Sequence, residues 1–251
     1  AEFRDWQGSG YCLAVTSGGQ ALQIALRACD VAPGDKVLTN AYTLAPVPGA
    51  IRAVGAEAVL AEIDENLRLD LDDLDAKIAS SGARVLLLSH MRGHLCDMDR
   101  LMAICDAAQV TVIEDCAHTM GARWNGTRSG NFGKVACFST QTYKHMNSGE
   151  GGFLTTDDAA IAARATILSG SYMLYERHGA GPDPEAFADA RYDMPNCSAR
   201  MDALRAAILR PQLADLDTNI ARWNARYARV EKGLKAQDGV ATIQLPTAEA
   251  H

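Results

Sequence analysis

Lysine is scarce in this chain: of 251 residues only six are lysines, at positions 36, 77, 134, 144, 232 and 235, and no basic cluster occurs anywhere. With a net charge of -7, that scarcity excludes a nucleic-acid surface, which needs Lys and Arg gathered on one face. No apolar run approaches the ~20 residues that a bilayer span requires. The polar start Ala1-Glu-Phe-Arg-Asp5 is not a signal peptide, so a cytoplasmic protein without membrane contact is expected. Cysteine is present without its usual patterns. The seven cysteines (12, 29, 96, 105, 116, 137 and 197) are odd in number, scattered, and contain no C-x-x-C pair, so neither a disulfide framework nor a zinc knuckle is indicated. They read as small buried hydrophobes. Repeats and low-complexity tracts are absent too. What is there, 48% hydrophobic and 22% charged residues, is enough for a substantial core, as one large domain or a domain plus part of another. Small-molecule chemistry is the class that remains.

Short apolar runs at 12–15, 36–39, 58–63, 84–89, 110–113, 135–139 and 152–155 alternate with helix-like stretches at 20–30, 46–54, 70–80, 97–108 and 157–169. This order predicts an α/β fold with a mainly parallel sheet covered by helices on both faces. Pro33-Gly-Asp35 marks a turn, and Asp97-Met-Asp99 a helix start with acid in its first turn. The character changes after 170. Residues 1–170 read as a large domain, 171–197 as a loop or interface segment, and 198–251 as a long amphipathic helix opening a small, incomplete second domain. Its apolar stripe runs from Met201 through Leu204, Ile208, Leu213, Leu216, Ile220, Trp223, Tyr227 and Val230 to Leu234, with a kink expected at Pro211.

Three motifs carry candidate chemistry. Lys144 lies between the apolar run 135–139 and the glycine cluster Gly149-Glu-Gly-Gly152, and no other lysine has both a strand before it and a glycine loop after it. A lysine amine in a tight loop can have its pKa lowered by burial, which Schiff-base chemistry on an aldehyde cofactor requires. Ser17-Gly18-Gly19-Gln20 opens a helix, where unpaired N–H groups attract an anion; alone it serves equally well as a cap and turn. Glu114-Asp115 ends a predicted buried strand, the place where open α/β sheets hold ligands, although an isolated acid pair there also fits a surface loop. Together the three suggest a pyridoxal phosphate (PLP) enzyme. His90-x-x-x-His94 has a metal-ligand spacing, but Arg92-Gly93 breaks the helix that spacing needs.

Thr16-Ser-Gly18, Ala21-Leu22, Pro33-Gly-Asp35, Gly55-Ala56, Ile113-Glu-Asp115-x-Ala-His118, Phe138-Ser139, Lys144 and Gly149-Glu-Gly-Gly152 occur in an order and spacing that resembles the DegT/DnrJ-type sugar aminotransferases, PLP enzymes of the aspartate aminotransferase fold. Arg200-Met201, Leu204 through Ala207 and Gln212-Leu213 resemble the family's interdomain helix. The resemblance implies that Lys144 forms the Schiff base and moves the substrate proton, and that Asp115 pairs with the ring nitrogen. It implies a phosphate site of Gly19, Gln20 and Ser139, beside the Ser17 and Gly18 of the helix start read above as cofactor-binding, with His118 near the ring hydroxyl. Gly19 stands where the family has threonine, and Leu44 where an aromatic stacks on the ring, with Tyr42 nearby. Ser198 takes the place of an asparagine that reaches the partner subunit's phosphate, and Asn196 lies two positions earlier. The implied reaction is ping-pong transamination through PLP and its pyridoxamine form in a homodimer, from an amino acid donor (glutamate or glutamine) to a keto-sugar or keto-cyclitol acceptor. Two alternatives are a keto-sugar dehydratase, which has histidine in place of the lysine and to which His145 would correspond, and a non-catalytic PLP- or partner-binding member.

Overall fold

The structure, a computed structural model, describes residues 1–170 and 179–251. Helix α1 (Glu2–Gln7) precedes strand β1 (Tyr11–Val15), and then helix and strand alternate: α2 (Gly18–Ala28), β2 (Lys36–Asn40), α3 (Pro46–Ala53), β3 (Glu57–Ala61), α4 (Leu71–Ser81), β4 (Val85–Ser89), α5 (Met98–Ala107) and β5 (Thr111–Asp115). A small hairpin, β6 (Arg123–Trp124) and β7 (Thr127–Arg128), leads into β8 (Val135–Ser139), β9 (Gly152–Thr156) and α6 (Ala159–Ser169). A short helix α7 (Ala190–Asp193) is followed by α8 (Ala203–Ala214), α9 (Leu216–Lys235) and β10 (Glu249–Ala250).

Seven strands form one sheet in the order β1-β9-β8-β5-β4-β2-β3. The pairs β3/β2, β2/β4, β4/β5 and β5/β8 are parallel, while β9 runs against both β8 and β1. Strand alternation divides the core. Val85 and Leu87 of β4 join Ile113 and Cys137 under α2, α3 and α6, whereas Leu86 and Leu88 join Val112 under α4 and α5. Both faces are therefore apolar, which is why β4 and β8 are buried along their whole length. The second face over β8 and β9 is closed by α1 and α8, where Phe3 stacks on Phe153 at 4.3 Å and meets Phe138 edge-on at 5.1 Å. Each large side chain buried this way contributes ~1.5–3 kcal/mol.

Carboxylate caps start four of the helices. Asp70, Asp97, Asp158 and Asp202 accept backbone N–H groups of α4, α5, α6 and α8, the Asp97 cap as its sequence context predicts. The Pro33-Gly-Asp35 turn forms as expected, with Gly34 at a φ of +89° and the Asp35 carboxylate accepting the Ala32 N–H at 2.8 Å.

Two expectations need correction. The long helix does not begin at Ser198, whose φ is +49°; it begins at Ala203. It is not one kinked rod either. Pro211 sits inside α8, and the axis is interrupted at Asp215, four residues on, where α9 begins. After α9 the chain returns, and β10 pairs with β6. Of the segment 171–197, residues 171–178 lie outside the described residues; the remainder holds a short 3₁₀ turn, Pro184–Phe187, and α7. Cys96, Cys105, Cys116 and Cys137 are buried, and all seven cysteines are free. Among the described residues no helix is long and apolar enough to cross a membrane.

Candidate functional site

Six of the seven strands of the large sheet point their carboxyl ends at one edge, and β9 brings its amino end there. A cleft of about 450 Å³ opens at that edge, at the switch point where an α/β sheet leaves room for a ligand. Ser17, Gly18, Gly19, Leu44, Asp115, His118, Ser139 and Lys144 all line it.

The anion-binding end is built by close backbone packing. Ser17 is extended and its hydroxyl accepts the Gln20 N–H at 3.0 Å, so α2 starts with the Gly18 and Gly19 amides at the cleft. A side chain on Gly18 would stand 2.8 Å from the Ser139 Cβ, and one on Gly152 would stand 2.7 Å from the Gly18 nitrogen and the Phe138 carbonyl oxygen. These glycines let the first turn of α2, the end of β8 and the start of β9 converge. Gly19 is different: a Cβ there meets only the Ser17 hydroxyl at 4.0 Å, so a threonine would fit.

Asp115 and Glu114 face opposite ways because they are neighbours on a strand. Asp115 turns to the cleft. Its carboxylate accepts the Ala117 N–H at 3.1 Å and lies 3.5 Å from the Ser89 hydroxyl. Burial pushes this carboxyl above its usual range against the pull of the Ala117 N–H, His90, Lys144 and Ser89, so an added cation would find a ready partner. Glu114 is fully buried and saturated, with N–H groups of Gly130, Phe132 and Gly133 at 2.8, 2.9 and 2.8 Å and the His90 ring at 2.9 Å. Burial alone would raise its pKa; the His90 contact and the N–H donors outweigh it and hold the carboxyl below the usual range.

Lys144 sits in the loop 140–151 that joins the antiparallel neighbours β8 and β9. Backbone bonds Thr140 N–H to Gly151 carbonyl, Ser148 N–H to Thr140 carbonyl and Lys144 N–H to Gln141 carbonyl, each 2.9 Å, close the loop on itself. Gln212 of α8 clasps Asn147 twice, accepting its N–H at 2.9 Å and donating to its carbonyl at 2.7 Å. His145 meets the Trp223 ring of α9 edge-on at 5.2 Å. Burial lowers the Lys144 pKa and Arg92 adds to the effect, against Asp115, which raises it. The amine is therefore easier to deprotonate than a solvated lysine.

The residue next in sequence faces elsewhere. His145 lines a second cavity of about 230 Å³ on the other side of His118, with Arg92, His94, Trp223, Asn224, Tyr227 and His251. His118 belongs to both walls. Its Nδ1 accepts the Arg92 N–H at 3.2 Å, and burial, aided by Lys144 and Arg92, pushes its pKa down to about 4, so the ring is neutral and carries its proton on Nε2. Arg92 itself adopts φ +59° and ψ 12°, a left-handed backbone that costs a non-glycine residue ~1–2 kcal/mol.

Four predicted residues fall outside the cleft lining. Gln20 points its N–H at Ser17, Tyr42 does not reach the cleft, and Asn196 and Ser198 bond each other at 2.9 Å beside Gly170. His90 and His94 part company, the first to Glu114 and the second to 3.6 Å from Glu249. Ser89, Met91, Gln141 and Glu150 line the cleft without having been singled out. Ser89 ends its strand as Asp115 does, so the rule that found the acid applies equally to the serine.

A model of the DegT/DnrJ/EryC1/StrS aminotransferase family matches residues 1–251. The chain is 34% identical over 242 residues to 3-amino-5-hydroxybenzoate synthase of Amycolatopsis mediterranei, covering 95% of this chain and 60% of that protein. It is 32% identical over 241 residues to L-glutamine:2-deoxy-scyllo-inosose aminotransferase of Micromonospora echinospora, covering 94% and 56%. Among solved structures it resembles S. venezuelae DesV in complex with a ketimine intermediate, with a TM-score of 0.85 and 31% identity over 99% of this chain and 64% of that one. It thus spans less than two thirds of the length of these relatives. Matched by the family model over residues 1–251 and more than 30% identical to its named relatives, the chain belongs to the DegT/DnrJ/EryC1/StrS aminotransferase family.

Proposed function

We propose that this chain supplies the cofactor site of a PLP-dependent aminotransferase that moves an amino group from an amino acid, glutamate or glutamine, to a keto-sugar or keto-cyclitol in the cytoplasm. The observation that carries the proposal is that a half-buried lysine of lowered pKa, a carboxylate and a helix amino terminus share one cleft. The residues present fit the cofactor. The Gly18 and Gly19 amides with the Ser139 hydroxyl suit a phosphate, Leu22, Leu44 and Val47 give an apolar wall for a ring, and Asp115 awaits a cation. When bound, PLP supplies a reactive aldehyde and a ring that withdraws electrons from the substrate carbon.

In this reading Lys144 would hold the aldehyde group of the cofactor, and its amine would carry the substrate proton. Asp115, fixed in place by the Ala117 N–H and Ser89, would hold a proton on the ring nitrogen. His118 offers a neutral ring beside the ring hydroxyl. The dehydratase alternative needs a histidine at the lysine position, and here Lys144 lines the cleft while His145 lines the neighbouring cavity. The test is direct: incubate the complete PLP-loaded protein with a panel of amino acids and measure pyridoxamine phosphate. No product with any donor would overturn the proposal and leave a binding role.

Asp115→Asn is expected to lower turnover about 100-fold while weakening PLP binding about tenfold, because a charge-assisted bond worth ~1.5–3 kcal/mol is needed most when the ring takes up charge. Steady-state kinetics and a PLP titration of the same variant check this. Equal losses in both would reduce Asp115 to a binding residue.

A homodimer completes the reading, with Asn196 and Ser198 serving the partner's phosphate site. In its support, neither lines the cleft of its own chain, and Ser198 is held at φ +49°. Dimerisation and PLP binding are then linked, each strengthening the other by the same free energy. Sedimentation with and without PLP tests it: a monomer at full PLP occupancy would show that one chain suffices. We also take 198–251 as the link toward a smaller second domain, since Leu216 is the one buried residue of α9 and Trp223, Tyr227, Val230 and Leu234 stay exposed.

A further inference from the structure

Arg92 is exposed, and among the described residues no hydrogen bond or ion pair involves its guanidinium, whereas Arg68, Arg100, Arg164 and Arg210 each pair with a carboxylate. It lines the cavity beside the cleft, one residue from Met91, which lines the cleft itself. Four of the six histidines surround the same cavity, at 94, 118, 145 and 251. Among the described residues no aspartate or glutamate lines it, and Glu249, which His94 and His251 approach at 3.6 and 3.3 Å, is also held by Arg68 at 3.0 Å and the Leu95 N–H at 2.8 Å.

The imidazoles add hydrogen-bonding groups without adding repulsion. His118 and His145 are both held below their ordinary pKa by burial and by the Lys144 charge, so they stay neutral around neutral pH. The buried His145 Nδ1 has no partner. Buried polar atoms are normally satisfied, and this orphan belongs to a residue that lines a cavity large enough for several waters, so a turn of the ring would offer it to a polar ligand. The left-handed backbone of Arg92 points the same way. It is secured by the Arg92 N–H on His118 Nδ1 and by Gly93, where a side chain would stand 3.1 Å from the His118 carbonyl oxygen. Strain of this kind persists where the surroundings hold a residue to a task.

Among the described residues Lys144 is the only lysine or arginine that lines the cleft, and that amine is committed to the carbonyl chemistry. An amino acid donor must bring a carboxylate next to its reacting amine, and that charge needs a cation just outside the cleft. We propose that Arg92 binds the carboxylate of the amino-acid donor from the adjoining cavity, with His118 and His145 flanking it. The planar guanidinium fork suits a carboxylate in two parallel bonds. This assignment rests on the aminotransferase reading above.

The variants are Arg92→Asn, which tolerates a left-handed backbone, and Arg92→Lys, which keeps the charge and loses the fork. In the complete PLP-loaded protein, the first half-reaction with L-glutamate or L-glutamine is followed through the cofactor spectrum. Arg92→Asn should lower its kcat/KM about 10- to 100-fold, Arg92→Lys less, and the loss with butylamine, which has no carboxylate, should be at least about fivefold smaller than the loss with the amino acid. Calorimetric titration with glutarate, a dicarboxylate that has no amine to give, should show affinity at least about tenfold weaker in Arg92→Asn. Unchanged glutarate affinity with an unchanged first half-reaction would overturn the assignment. So would a loss confined to the second half-reaction, which would place the acceptor against Arg92. If the wild type yields no pyridoxamine phosphate, the functional reading fails, and glutarate affinity still tests Arg92 alone.

Discussion

Lys144→Ala protein mixed with PLP is expected to lack the visible absorption band of the wild type, to resist borohydride attachment of the cofactor, and to lose turnover by about 1,000-fold or more. The size of the effect follows from a double role, since one amine both holds the aldehyde carbon and carries the substrate proton. No substitute is at hand. Lys36 donates to the Ser81 carbonyl at 3.3 Å, Lys235 pairs with Glu231 at 2.9 Å, and no lysine other than Lys144 lines the cleft. Peptide mapping after reduction checks the site, and a label on Lys36 or Lys77 would end the assignment. The fold should survive, because Lys144 is half-buried and its backbone N–H, not its side chain, closes the loop. A small primary amine added to the solution should restore part of the rate, which a collapsed variant could not show.

The second large effect is on stability. Glu114→Ala is expected to destabilise the protein by about 3–5 kcal/mol, because it strands three backbone donors and the His90 ring in the interior. Urea unfolding of the complete protein at neutral pH measures it, and a loss under about 1 kcal/mol would show that water repairs the site. The pH dependence has a definite sign. A carboxyl whose folded pKa lies below its unfolded value, ~4.3, stabilises fully above that value and loses the contribution as pH falls toward the folded one. The gap between wild type and variant should therefore be widest near neutrality and narrow in acid. Asp115 responds in the opposite sense, its raised pKa making the ionised form a cost until a cation arrives.

All seven apolar runs became strands of one sheet; burial on both faces makes the runs of β4, β8 and β9 legible, while the more exposed edge strands β1 and β3 were legible from their apolar residues alone. The site was legible where chemistry and strand ends coincide, at Asp115, Ser139 and the α2 start. Short elements left no such trace. Helix α1 is only six residues long and is held by Phe3 packing on Phe138 and Phe153, residues far away in sequence. The interruption at Asp215 was hidden because the apolar stripe continues on both sides of it. Arg92 was read only as a helix breaker. Its sign is right, but its use is set by the residues across the cavity, from His118 to Tyr227, which no local pattern brings together.

The lysine loop straddles the joint between α8 and α9. Asn147 is tied to Gln212, before Asp215, and His145 rests on Trp223, after it. The turn that follows the amine is thus fastened to both members of a two-helix corner, and the angle between α8 and α9 sets where the neighbours of the lysine stand.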